Sequence, residues 1–491
     1  MLLDLLSIET ACWTPHLETA GDVCVSETHA GRKVGFVFLE SDNPDNELSR
    51  LSRLFGAGHW RKVEALTSKL AGQGVALPDQ PELSPSLLRE TSTFARQRVD
   101  SIAELKTLHY KGAALGMGAA SSLISRTRDS EPSLTQWRRT LVRYLQAAAL
   151  TFEQSRLLVT QYRPASILIY NGRFACNKAI AEAARLSNIE CTYHERGATL
   201  DRYELHERPV HDLASVRKRM LEAWDRAGDD RTQVGRSFFE RRRQGDGIGW
   251  ISYTGAQRAG TLPPRMHRRR LVYYSSSEDE YAAVGDLVKH RLFASQRLAV
   301  EFLVDWIGRQ ADTELVIRVH PHLRRKSDQD RGWWHGLQGT NVILVRAGDP
   351  TDSYALAQSA DLILTYGSTM GVEAAFMGKP VILLADSAYQ GLDCAHEPGS
   401  QLELLQMLGD RELPAKPVAH SLPYGYYLLT YGRRYRFYEP TSIFNGKFMG
   451  VELSTDPDAL RRFKASVLGK TLTQVRASLR DAYRSLLAHS P

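Results

Sequence analysis

Short apolar runs punctuate the chain, with longer amphipathic stretches between them. Lys33-Val-Gly-Phe-Val-Phe-Leu39, Pro164-Ala-Ser-Ile-Leu-Ile-Tyr170, Glu190-Cys-Thr-Tyr193, Leu271-Val-Tyr-Tyr274, Glu314-Leu-Val-Ile-Arg-Val319, Val342-Ile-Leu-Val345, Asp361-Leu-Ile-Leu-Thr365 and Val381-Ile-Leu-Leu384 read as strands, most of them buried on both faces. Leu141 to Leu158 repeats its apolar residues every three to four positions, the helical period. Ala175–Arg185, Phe293–Gly308, Asp352–Ser359 and Thr369–Met377 also read as helices. The order β-α-β-α-β predicts an α/β fold with parallel, doubly wound sheets. From Glu47 to about Thr160 the pattern is mainly helical, and the Ser-, Gly- and Ala-rich stretch from Met117 to Pro132 is expected to be mobile. Val210 to Arg243 reads as charged helix, Gly245 to Gly260 as an interdomain linker, and Asp456 to Leu487 as a pair of basic helices. These boundaries suggest an N-terminal domain over 1–255 with a helical insertion, a second over 256–430, and a helical segment over 431–491 that packs back on the first.

One unit carries the clearest chemistry. After the strand Asp361–Thr365 comes a turn with Gly367 and Gly371, then a short helix that Gly378 ends and Pro380 forbids to continue. Its turn offers the hydroxyls of Ser368 and Thr369 at a helix N-terminus, a place for a phosphate. Plain capping explains one of the two hydroxyls. Two further strand ends of the same half point the same way: Ser275-Ser-Ser277, leading into Glu278-Asp-Glu280, and Arg318-Val-His-Pro321. Pro321 stops the strand and biases His320 to an extended form, which projects the imidazole beyond the sheet edge. In the first half, Asn171-Gly-Arg173 and His194-Glu-Arg-Gly197 follow strands, and ligands of open α/β sheets lie at such ends. Arg173 and Arg196 suit a phosphate or carboxylate, and Glu195 suits an acid, base or nucleophile. The plainer alternative is a Glu–Arg ion pair that fixes two loops. His16 follows Thr14-Pro15 at a helix start, facing a cleft or simply solvent. The aromatic run from Pro423 to Val451 fits packing between lobes.

Composition narrows this little. A chain of 491 residues with 43% hydrophobic and 24% charged content is an ordinary globular protein with room for two domains. A net charge of +7 and a pI near 9.0 suit an anionic partner, but the charge is too spread to argue for nucleic acid. The Arg265–Arg270 cluster would draw anionic substrate or lipid headgroups, unless it is only solvated. Cys12, Cys24, Cys176, Cys191 and Cys394 are scattered and odd in number, which points to a reducing compartment and away from disulfides or a metal site. The N-terminus has no basic region before its apolar residues and no run is long enough to span a bilayer, so a cytoplasmic protein is expected, with the inner membrane face as a contact.

Arg318-Val-His-Pro-His322 with Gly367-Ser-Thr-Met-Gly-Val-Glu-Ala-Ala-Phe-Met-Gly-Lys-Pro-Val-Ile382 resembles the C-terminal domain of GT-B glycosyltransferases. The resemblance is to the bacterial capsule-polysaccharide biosynthesis group that includes the Kdo transferases. Bacterial sialyltransferases share the His-Pro motif and the hydroxyl pair. Tyr170-Asn-Gly-Arg173, His194-Glu-Arg-Gly197 and Ser275 to Glu280 also look like turns of that group. The resemblance implies two Rossmann-like domains facing across a cleft, with the nucleotide-sugar on the second and a glycan or glycolipid acceptor on the first. Carried over, Arg318, His320 and Pro321 would meet cytidine monophosphate, Ser368 and Thr369 its phosphate, and Glu373 either a ribose hydroxyl or only a structural hydrogen bond. Ser275, Ser276, Ser277 and Gly367 would complete the donor site. His16, Asn171, Arg173, His194 and Arg196 would meet the acceptor or sugar. Glu195, Glu278, Asp279 and His320 are the catalytic candidates. No metal and no cofactor beyond the donor, CMP-Kdo first, are implied. A UDP-GlcNAc epimerase on the same fold and a non-catalytic basic scaffold of a polysaccharide assembly complex stand as alternatives.

Overall fold

The computed structural model describes residues 2–48, 56–248, 257–277, 281–288, 292–321 and 328–457, with Ser52, Leu54, Asp279 and Leu323 between them. In chain order the first lobe holds β1 (Leu5–Glu9), α1 (His16–His29), β2 (Val34–Phe38), α2 (His59–Ala71), α3 (Pro85–Ala95), α4 (Ile102–Thr107), α5 (Leu115–Thr127), α6 (Arg138–Tyr162), β3 (Ser166–Tyr170), α7 (Ala175–Leu186), β4 (Glu190–Arg196), β5 (Arg202–His206), α8 (Leu213–Asp225) and α9 (Arg231–Arg243). The second holds β6 (Arg269–Tyr274), α10 (Gln296–Ile307), β7 (Thr313–Arg318), α11 (Asp328–Gly336), β8 (Val342–Val345), α12 (Ser353–Ser359), β9 (Leu362–Thr365), α13 (Met370–Phe376), β10 (Val381–Leu383), α14 (Gln401–Gly409) and α15 (Leu422–Thr430). The last elements among the described residues are β11 (Arg433–Arg434), β12 (Tyr438–Ser442) and β13 (Asn445–Phe448).

Two large sheets form among the described residues, beside a two-stranded one, β12-β13. The first has the order β11-β5-β4-β3-β1-β2, parallel from β4 to β2 and antiparallel at β5 and β11. The second, β10-β9-β6-β7-β8, is parallel throughout. In β1, Leu5 packs into one core and Leu6 and Ile8 into another on the opposite face, as the pleat requires, so helices cover both sides. Two helix-wrapped sheets, with the chain returning from the second to the first, make the GT-B arrangement.

The structure differs from the sequence reading in three places. The stretch expected to be mobile is α5, buried against α7. Its small residues permit that approach: a Cβ on Gly118 would sit 2.8 Å from Lys178 Cβ. The charged helix beyond Val210 is two helices, α8 and α9. The segment read as helical from 431 is extended as far as it is described. β11 pairs with β5, and β12 and β13 form a hairpin. The pair of basic helices lies almost wholly outside the described residues, as does half of the linker read at Gly245–Gly260.

Asp22 on α1 latches this returning strap. Its Oδ2 accepts the backbone N–H groups of Arg436, Phe437 and Tyr438 at 2.9, 2.7 and 3.1 Å. Asp22 is fully buried, so removing it orphans three backbone donors, the one at Tyr438 in a buried bond. Asp22→Ala is expected to cost about 3 kcal/mol, each unsatisfied buried group losing roughly 1–3 kcal/mol before relaxation. Chemical denaturation checks this, and a loss below about 0.5 kcal/mol would show that the strap is held elsewhere.

The basic cluster before β6 is no open patch. Arg269 donates to the carbonyls of Leu408 and Asp410, both at 2.6 Å, Arg270 is 1% exposed, and Arg265 pairs with Asp361.

Candidate functional site

The carboxyl ends of β1, β3 and β4 meet at one wall of a cleft of about 860 Å³. The turn after β3 takes two left-handed residues, Asn171 (φ 53°) and Gly172 (φ 85°); asparagine tolerates this and glycine supplies it freely. That geometry brings Asn171 Nδ2 to 2.7 Å from Glu195 Oε2. The Arg196 N–H donates to Glu195 Oε1 at 3.0 Å, so both carboxylate oxygens are held. The His16 ring lies on Tyr170 with centroids 3.8 Å apart, and its Nδ1 is 3.8 Å from Glu195 Oε1. Burial, and then the neighbouring His194, Arg196 and Lys62, hold His16 well below the usual histidine range, so it is a neutral imidazole. Arg173 donates to Ser125 at 3.3 Å and Arg196 to the Thr14 carbonyl at 3.2 Å, and both guanidinium groups line the cleft.

His194 is the exception among the first-lobe candidates. It is fully buried beneath Tyr170, with Nε2 2.7 Å from Glu9 Oε1. It does not line the cleft and makes no sugar site; alternation along β4 turns it away from the side that Glu195 presents.

The cleft holds residues that the sequence reading passed over. Glu204 on β5 stands directly opposite Glu195 in the antiparallel register, and both reach the cleft. Tyr427 on α15 donates to both Glu204 oxygens, at 3.0 and 3.2 Å, and burial raises the Glu204 carboxyl against the pull of Arg219 and Tyr427. Arg219 Nη2 lies 2.6 Å from His206 Nδ1. Arginine only donates, so Nδ1 accepts and the His206 proton sits on Nε2, facing Glu204 at 3.5 Å. Burial, then Arg219, lowers His206 to about 3, consistent with that neutral tautomer. The signal was present in Arg202-Tyr-Glu-Leu-His206, whose polar residues fall on one face at period two. Tyr424 and Tyr427 fill the lobe junction, as the packing reading expected, and line the cleft as well.

The second-lobe candidates divide. Ser275 is buried, and its Oγ accepts the His320 N–H at 2.7 Å. Arg318 is buried and donates to the Arg346 carbonyl at 2.7 Å. Ser275, Arg318, His320 and Pro321 therefore build the strand ends and line neither the cleft nor the cavity beside it. Ser277 donates to Asp279, which is 3% exposed and accepts from Arg128 of the first lobe at 3.3 Å. Asp279 is thus an inter-lobe clamp and not a carboxylate facing the cleft. Glu278 lies outside the described residues. Ser368 Oγ takes the Met370 N–H at 3.4 Å, the capping role, while Thr369 is exposed. Thr369 borders a smaller cavity of about 180 Å³ together with Glu373. Burial raises the Glu373 carboxyl, which pairs with Arg242 at 3.5 Å and accepts from Tyr354.

Ser276 and Gly367 do reach a cavity. It measures about 310 Å³ at the carboxyl edge of the second sheet, with Tyr366, Ala385 and Asp386 on its wall. Gly367 has φ 86°, and a Cβ there would come within 3.0 Å of the Asp386 carbonyl. Tyr281 lines both this cavity and the large cleft.

No protein-family model matches the chain, and no curated protein does. Solved structures do match. KpsC of Thermosulfurimonas dismutans, a beta Kdo 2,4 transferase, is 15% identical over 53% of this chain and 79% of its own, with a TM-score of 0.34. MnaA of S. aureus, solved with UDP, is 10% identical over 88% and 94%, with a TM-score of 0.27. UDP-GlcNAc 2-epimerase of Neisseria meningitidis, bound to UDP-GlcNAc, is 9% identical over 86% and 97%, with a TM-score of 0.25. These scores lie below one half, so any reading of function rests on the chain's own geometry.

That geometry is one of adjacency. The cleft with the carboxylate wall of the first lobe and the strand-edge cavity of the second share Tyr281 as a lining residue. Among the described residues no helix is long and apolar enough to cross a membrane.

Proposed function

We propose that the protein is a glycosyltransferase of cell-surface polysaccharide assembly, moving a sugar from a nucleotide-sugar in the second-lobe cavity to a glycan or glycolipid in the first-lobe cleft. The observation that carries this is the shared wall at Tyr281, which sets a donor-sized cavity against a cleft that presents a fixed carboxylate. Glu195 is the general base. It takes the acceptor hydroxyl proton as that oxygen attacks the anomeric carbon and the carbon–oxygen bond to the phosphate breaks, the electron pair leaving with the phosphate. Asn171 and the Arg196 N–H hold the carboxylate in place, and Trp13, half-buried on the cleft, offers a face for a sugar ring. The sequence resemblance makes CMP-Kdo the first donor to test, with no metal required.

A thermal-shift screen against CMP, UDP, GDP and dTDP tests the reading. Stabilisation by CMP alone is expected, about 2.7 kcal/mol at a hundred times the dissociation constant. Preference for UDP or GDP would remove the Kdo assignment and leave a transferase. No response to any of the four would sink the transferase reading.

A further inference from the structure

The strand-edge cavity is not built by the second lobe alone. Lys106, in the last turn of α4, and Ser130 and Glu131, beyond α5, come from the helical insertion of the first lobe and close one side of it. The opposite side is Ser276, Gly367 and Asp386 from strand ends of the second sheet. Lys106 is half-buried on this wall. Among the described residues its ammonium has no hydrogen bond or ion pair. Burial lowers its pKa, and Glu131, exposed at the rim, is the opposing charge. Elsewhere in the first lobe the buried Lys62 has Glu18 at 2.7 Å, and the partly buried Lys111 has Glu90 at 2.9 Å and Glu153 at 2.7 Å. A cation that costs desolvation and that, among the described residues, is met only by the rim charge of Glu131 is suited, on a cavity wall, to an anion brought by a ligand.

We propose that Lys106 is a donor-binding residue, contributed across the lobe junction, whose ammonium meets an anionic group of the nucleotide-sugar. This rests on the transferase reading above. Phosphate and sugar carboxylate share the chemistry that Lys106 would recognise. Its position ties donor capture to the first lobe: the donor site is complete only when the insertion lies against the second sheet, as the Arg128–Asp279 pair holds it.

Calorimetric titration of wild type, Lys106→Met and Lys106→Arg with CMP and with CMP-Kdo decides the matter. Unliganded melting of the variants, expected to match wild type, controls for folding. Lys106→Met is expected to weaken binding about tenfold or more, the loss of one charge-assisted hydrogen bond, and Lys106→Arg to restore most of it. Weakening of both ligands places the ammonium on the phosphate; weakening of CMP-Kdo alone places it on the carboxylate. Wild-type affinity of Lys106→Met for both ligands overturns the assignment and leaves the transferase reading intact. If wild type binds neither ligand, nor UDP or GDP, the transferase reading falls and the Lys106 site falls with it.

Discussion

Glu195→Gln is expected to lower the rate of sugar transfer by roughly 10²–10⁴-fold, the range of a general base, while the nucleotide still binds. The substitution keeps size and shape and removes the negative charge and proton affinity. The surroundings argue that the carboxylate is presented and not merely packed. Asn171 reaches it only because two successive residues adopt left-handed backbone, and it uses that geometry to hold one oxygen at 2.7 Å. The other oxygen takes the Arg196 N–H at 3.0 Å, and its side chain remains 23% exposed on the cleft. A structural ion pair would instead close the carboxylate against an arginine. Here Arg196 sends its Nη2 to the Thr14 carbonyl, away from such a pairing. The check is initial rates of transfer set beside the CMP shift of the same preparation. Turnover within threefold of wild type would remove Glu195 from the chemistry.

Glu314→Ala is expected to destabilise the second lobe by about 3–5 kcal/mol, the cost of leaving one member of a buried ion pair behind. Arg270 and Glu314 lie at the start of β6 and β7, with side chains 2% and 0% exposed and Nε 2.6 Å from Oε1. Glu314 Oε2 also accepts the N–H groups of Met266 and His267, at 2.6 and 3.1 Å. Alanine strands the guanidinium and those two donors together. Leucine at both positions is expected to recover much of the loss, because two matched apolar side chains need no counter-charge. Urea denaturation of the two variants makes the comparison, and a single variant that melts like wild type contradicts the account.

The same pair shows where sequence reading reaches its limit. Six residues with four arginines look like a surface feature until the partners of each are known. Asp361, Glu314 and the carbonyls of Leu408 and Asp410 are distant in sequence. The strands of both sheets were legible because parallel strands buried on both faces appear as continuous apolar runs. β5 was not, since it is half-buried and only alternates, and Glu204 was lost with it. α5 was misread for a related reason. Gly116, Gly118 and the serines and alanines around them have the composition of a loop, and only the closeness of α4 and α7 explains why bulk is excluded. In the candidate site, Glu195, Asn171, Arg173, Arg196 and His16 were found by following strand ends. His194, Asp279, Ser275 and Arg318 were strand-end residues whose side chains are spent on the protein itself. Lys106 was invisible, because what makes it notable is its place on a cavity wall with no hydrogen bond or ion pair among the described residues.

The returning strap bears on how the molecule is made. Asp22 waits for backbone donors as much as 416 residues further along the chain. β5 likewise remains an open edge until β11 arrives to pair with it. During synthesis the second sheet is therefore threaded and complete before the first can close, so the part of the protein that emerges first is the last to be finished. In that interval a sheet edge and the face of α1 that will receive Phe448 are exposed to solvent or to a chaperone. Shortening the strap changes the yield of folded protein before it changes any contact of the clefts.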